Sequence, residues 1–141
     1  MQARILLTNW GVTSDRARLV LVVEDDLSIR NVITDVLEDR GFRVSTAENG
    51  AEALEYLEYL EPDVMVLDLL MPVMHGWAFM ESYFDKTGGR PIPLVVVSVN
   101  PALPRSFNRF GLCEVVAKPF NIDDLVRAVE EALESEPAFS R

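Results

Sequence analysis

At 141 residues with 49% hydrophobic side chains, the chain has the size and apolar content of one globular domain with a sizeable core, which excludes a disordered tract. Its formal net charge of −10, with thirteen Lys and Arg dispersed along the chain, argues against a nucleic acid or an anionic membrane as partner. No run approaches the roughly 20 apolar residues of a membrane span, no signal peptide is visible, and the single Cys113 has no partner for an internal disulfide, so a cytoplasmic protein is expected.

Residues 1–17 mix Arg4, Trp10, Gly11, Ser14 and Arg16 without period and read as an extension ahead of the domain. Leu19–Val23 is a continuous apolar run and predicts a strand. Ile29, Val32, Ile33, Val36 and Leu37 then recur at spacings of three and four, which predicts a helix with one buried face, stopped by Gly41. A second strand follows over 42–47. Asn49 caps a helix carrying Ala53, Leu54, Leu57 and Leu60, and Pro62 ends it before a third strand over 64–67. Residues 74–86 predict a helix burying Trp77, Met80 and Phe84, followed by a loop and a fourth strand over 94–97.

The stretch between Ser98 and Lys118 contains Pro101 and Pro104, so a helix there is expected to be short, displaced or irregular. Phe107, Phe110 and Cys113 read as buried residues. A fifth strand over 115–117 leads to Asn121, which caps a last helix with Leu125, Val126, Val129, Ala132 and Leu133 on one side; Asp124 adds favourable charge near its positive end. The domain spans 18–135, with 136–141 a short tail and no attached output module expected.

Strands alternating with helices, the strands being unbroken Val/Leu runs, predict an α/β fold: a five-stranded parallel doubly wound (βα)5 sandwich covered on both faces. In such sheets ligands bind outside the carboxyl ends of the strands. Four of the five runs end there on polar groups: Glu24 and Asp25, Asp68, Ser98 and Lys118. Three carboxylates and one ammonium leave a local charge of about −2, which would repel an incoming phosphoryl group. Mg2+, a hard cation that takes oxygen ligands and keeps several waters, suits such an open acidic cluster and offsets charge on a transferring group. Lys118 can bind a phosphoryl oxygen as a point charge and Ser98 can donate a hydrogen bond to another.

The segments Val22-Val23-Glu24-Asp25-Asp26, Val66-Leu67-Asp68-Leu69-Leu70-Met71-Pro72 followed by Gly76, Val97-Ser98 and Ala117-Lys118-Pro119-Phe120 resemble, in order and approximate spacing, the receiver domain of two-component response regulators. The resemblance covers roughly residues 18–135. It implies the flavodoxin-like strand order 2-1-3-4-5 and a phosphorelay role in which Asp68 takes a phosphoryl group from a sensor histidine kinase or a histidine phosphotransfer protein. It further implies that Asp25 and Asp68 ligate the metal, that Glu24 holds it through water, and that Leu70 supplies a backbone carbonyl. Ser98 would follow the phosphoryl group, Lys118 would bind it, and the peptide before Pro119 would be cis. Asp26 is then an extra acid near the first helix, and His75 an exposed bystander.

Two departures from the family pattern stand out. Val115 occupies the place of the usual Tyr or Phe three residues before the lysine, and Val99 is bulkier than the usual residue after the hydroxyl. Leu70 and Val99 are read as restricting access to the acceptor. The leading reading is a single-domain response regulator, a phosphoacceptor and not a conventional enzyme, whose affinity for a downstream protein target changes on phosphorylation. The alternative is a pseudo-receiver, a binding module independent of phosphorylation. A phosphatase with an aspartyl nucleophile would need an acid two residues after Asp68, where Leu70 stands.

Overall fold

A computed structural model of the chain describes residues 4–5, 14–15, 17–69, 76–87, 92–99 and 112–134. The described elements run β1 (Arg4–Ile5), β2 (Ser14–Asp15), β3 (Leu19–Val23), α1 (Leu27–Asp39), β4 (Arg43–Ala47), α2 (Gly50–Tyr56), β5 (Val64–Asp68), α3 (Gly76–Thr87), β6 (Leu94–Ser98), β7 (Leu112–Ala117) and α4 (Ile122–Glu134). β1 and β2 pair antiparallel, so the region expected to lack pattern contains a small two-stranded ladder. The other five strands form one sheet in the order β4-β3-β5-β6-β7, with all four pairings parallel. Counting those five alone, this is the 2-1-3-4-5 order. No helix among the described residues is long and apolar enough to cross a membrane.

The period of two along each strand divides the core into two layers. Leu21, Val23, Met65, Leu67, Leu94 and Val96 pack with Ala53 of α2 and with Phe79, Met80 and Tyr83 of α3. Their neighbours in sequence, Val20, Val22, Val64, Val66, Val95 and Val97, pack with Ile33 and Leu37 of α1 and with Leu125, Val126 and Val129 of α4. A strand buried on both faces has no solvent side, which is why β3, β5 and β6 carry no polar residue before their last positions.

The helix ends follow from local chemistry. Asn49 Oδ1 accepts from Glu52 N at 2.9 Å while the Glu52 carboxylate accepts from Glu48 N at 2.7 Å, a reciprocal cap on α2. Asn121 Oδ1 accepts from Asp123 N at 2.8 Å at the start of α4. After α1, Gly41 takes φ +93°, the left-handed conformation that only glycine adopts without steric cost.

Several boundaries depart from the sequence reading. Val32 belongs to the three-four spacing of α1 but is 48% exposed, because the helix buries only the narrower stripe of Ile33 and Leu37. α2 stops at Tyr56, and Glu58 N and Tyr59 N reach back three residues to Glu55 O and Tyr56 O in a tightening turn. β7 starts at Leu112, three residues before the expected strand. Its register with β6 slips once: Leu94 pairs with Leu112 but Val95 pairs with Glu114, so Cys113 is passed over as a bulge. The expectations for Leu70, His75, Pro101, Pro104, Phe107 and Phe110, and for the side chains of Trp77 and Cys113, fall outside the described residues.

Candidate functional site

Register and alternation bring the polar groups together. β3 pairs with β5 so that Val22 lies opposite Val66; two residues further, Glu24 falls beside Asp68. Both continue the alternation Val20, Val22 and Val64, Val66, and Lys118 continues that of Val116, which packs in the same layer. Three charged residues on three strands thus leave the sheet with one parity at one edge. The ladder persists past the strand ends, with Glu24 N donating to Ala47 O at 3.0 Å, Leu69 N to Val97 O at 3.3 Å and Lys118 N to Ser98 O at 2.9 Å. The Lys118–Pro119 peptide is cis, as the resemblance implied.

Asp68 and Glu24 are buried, at 3% and 2% exposure, and Ser98 is buried beside them at the end of β6. Lys118 Nζ lies 3.2 Å from Asp68 Oδ2 and 3.7 Å from Glu24 Oε1, so one ammonium serves two carboxylates. Asp25 is exposed at the mouth, and one carboxylate oxygen each from Glu24, Asp25 and Asp68 lie within 4.8 Å of one another. Burial pushes the Glu24 carboxyl up to about 7, and the negative charge of Asp68 adds to the rise; the Asp26 N–H and Lys118 offset it only in part. For Lys118, burial disfavours the ammonium, but the Glu24 and Asp68 carboxylates outweigh that and hold its pKa above the ordinary lysine value.

This electrostatic state bears on metal binding. Without a cation the cluster relieves its repulsion by keeping a proton on Glu24 for part of the time near neutrality, so its mean charge is less negative than three full carboxylates and one ammonium would give. An all-oxygen donor set, partly buried and protonated for want of positive charge, fits a hard divalent cation such as Mg2+. Sequence reading placed Glu24, Asp25, Asp68, Ser98 and Lys118 at this edge, and all five are found there. Leu70 lies outside the described residues.

Two neighbouring side chains carry roles that the sequence reading did not assign. Asp26, read as a solvated acid, caps α1 by accepting from Ile29 N at 3.0 Å, and its own N–H donates to Glu24 Oε2 at 3.2 Å. Arg30, in α1, donates from Nη1 to Glu24 O at 2.9 Å and to Asp25 O at 3.4 Å. A sequence signal for Arg30 exists: a cation so near a helix N-terminus opposes the helix dipole and needs some compensating partner.

The model for the response regulator receiver domain matches residues 20–130. The DNA-binding transcriptional regulator NtrC of Escherichia coli (strain K12) is 36% identical over 117 residues, covering 82% of this chain and 24% of the relative. The chain therefore spans about a quarter of the length of the NtrC proteins it matches. The chemotaxis protein CheY of Listeria monocytogenes is 27% identical over 114 residues, 80% of this chain and 96% of that one. Among solved structures, Vibrio cholerae chemotaxis protein CheY4 superposes with a TM-score of 0.73 at 28% identity, covering 82% of this chain and 98% of the other. The response regulator TrrA of Thermotoga maritima, solved in complex with Mg(2+)-BeF, superposes at 0.68 and 28% identity with the same coverage.

Proposed function

The chain belongs to the response regulator receiver family of two-component signalling, and on that premise we propose that Asp68 is its phosphoacceptor. The observation that carries the proposal is the Lys118 ammonium held 3.2 Å from a buried Asp68 carboxylate at the carboxyl edge of the sheet. An Asp68 oxygen attacks the phosphorus of a phosphohistidine on a sensor histidine kinase or phosphotransfer protein. The new O–P bond forms as the P–N bond breaks, and the electron pair stays on the imidazole nitrogen, which is thereby free to take up a proton. Lys118 pairs with the phosphoryl charge and the Ser98 hydroxyl donates to one of its oxygens.

Receiver domains bind Mg2+ at an acidic cluster, and here Glu24, Asp25 and Asp68, with the Leu70 carbonyl by resemblance, would hold it. When bound, the ion offsets the negative charge on the transferring group. Phosphorylation adds charge of about −1.5 to −2 at a site that already holds three acids, a change able to bias a segment with two arrangements and so alter affinity for a downstream protein target. We assign this role to residues 18–135 in the cytoplasm, with 1–17 an extension and 136–141 a tail. With a net charge of −10, a protein is the favoured target and neither nucleic acid nor membrane is.

Val115, where the family usually carries an aromatic ring, favours a second reading, a pseudo-receiver that binds its partner without phosphorylation. Incubation with Mg2+ and a phosphorylated histidine donor, beside Asp68→Asn, separates the two. An acid-stable, base-labile mass increment on the wild type that is lost in the variant supports phosphotransfer. No increment from several competent donors moves the assignment to the binding module.

A further inference from the structure

We propose that Arg30 is a positioning residue for the metal site: its guanidinium fixes the Glu24–Asp25 backbone so that both carboxylates present themselves to a cation. The inference rests on the assignment of Glu24, Asp25 and Asp68 as the Mg2+ site. Glu24 and Asp25 lie where β3 has ended and α1 has not begun, so their carbonyls have no place in a strand ladder or in the α1 hydrogen-bond series. Arg30 Nη1 reaches back from α1 and donates to both, at 2.9 Å to Glu24 O and 3.4 Å to Asp25 O.

The rest of the turn is tied as well. Asp26 N donates to Glu24 Oε2, Ile29 N to Asp26 Oδ1 and Arg30 N to Asp26 O. Arg30 is itself anchored, because Thr34 Oγ1 donates to Arg30 O at 2.8 Å. Asp25 is exposed, so no packing holds its carboxylate, and the backbone carbonyl bond from Arg30 is the restraint that the structure gives it.

Charge and geometry make opposite forecasts here. A guanidinium close to a cation site repels the cation, so charge alone makes an Arg30→Met protein bind Mg2+ more tightly. Positioning makes it bind more weakly. Losing an outer group that orients metal ligands typically costs about 10- to 100-fold in affinity.

The test is Mg2+ titration of the full chain by isothermal calorimetry, with wild type, Arg30→Met, Arg30→Lys, Arg30→Gln and Asp68→Asn. Arg30→Met is expected to raise Kd at least about 10-fold. Arg30→Lys keeps the charge without the planar fork and is expected to stay weakened, while Arg30→Gln, which donates without charge, recovers part of the affinity. If Arg30→Met fails to fold, the Lys and Gln variants decide the matter through the same ranking. Arg30 variants that bind as tightly as wild type or more tightly, while Asp68→Asn loses binding, overturn the positioning role and leave the metal site standing. A wild type that takes up no Mg2+ overturns the metal assignment itself and this inference with it.

Discussion

Replacing Glu24 by Gln tests the electrostatic account of the site through stability alone, in the absence of metal. Glu24 is 2% exposed and its carboxyl is raised from 4.5 to about 7 by burial and by the charge of Asp68. A folded-state pKa above the unfolded one means that the native state holds the proton more tightly. The associated stability is therefore complete below about pH 4.5 and is lost as the pH rises through about 7. At 1.36 kcal/mol per pKa unit, the loss is about 3 kcal/mol across that window. Gln keeps the shape and an oxygen for the Asp26 N–H, at 3.2 Å in the wild type, but cannot ionise. Lys118 retains Asp68 as its anionic partner. Urea unfolding in EDTA, followed by circular dichroism from about pH 4.5 to about pH 8, should show the variant gaining about 3 kcal/mol relative to wild type over the range. Mg2+ added above neutral pH should restore stability to the wild type more than to the variant, since a ligand of the native state stabilises it by mass action. Parallel pH profiles for the two proteins in EDTA would refute the reasoning.

Three further outcomes are expected. Asp63 clasps the start of β3, its Oδ2 accepting from Leu19 N at 2.7 Å while its own N–H donates to Leu19 O at 2.8 Å; Asp63→Ala strips the first bond and should lower urea stability by about 1–3 kcal/mol. Asn49→Ala removes the α2 cap and should cost about 1 kcal/mol by the same measurement, with no change in Mg2+ affinity because the cap lies outside the acidic cluster. Val99 is 62% exposed directly after the buried Ser98, and Val99→Ala, alone or with Leu70→Asn, should shorten the lifetime of phosphorylated Asp68 if these side chains shield it from water; an unchanged decay rate removes that role.

The sheet and the site edge were legible because a parallel strand buried on both faces spells itself out. Leu19–Val23 and Leu94–Ser98 have no charged residue, and the first polar group after each run marks the edge where chemistry is placed. Caps at Asn49 and Asn121 were legible because short polar side chains compete for backbone N–H groups wherever a helix starts. The start of β7 was not, because Glu114 interrupts the apolar run and the bulge at Cys113 breaks the period. Nor was the exposure of Val32, since a repeat of three and four gives the direction of a helix face but not the width that its neighbours cover. The clamp by Arg30 joins a side chain to backbone atoms, and backbone atoms leave no mark in a sequence.

The single slip between β6 and β7 decides which residue arrives at the edge. With the pairing set by Leu94 and Leu112 alone, Ser98 would face Val116 and the ammonium would arrive one step late, its strand turned over with respect to the two core layers. Passing over Cys113 pairs Ser98 with Ala117, returns Val116 to the layer of Val97, and delivers Lys118 beside Asp68. Entry into the last strand and exit from it are thereby counted separately. A one-residue deletion within residues 112–114 would reverse the parity of everything after it and carry the lysine away from the carboxylates, although no residue of the site itself had been changed.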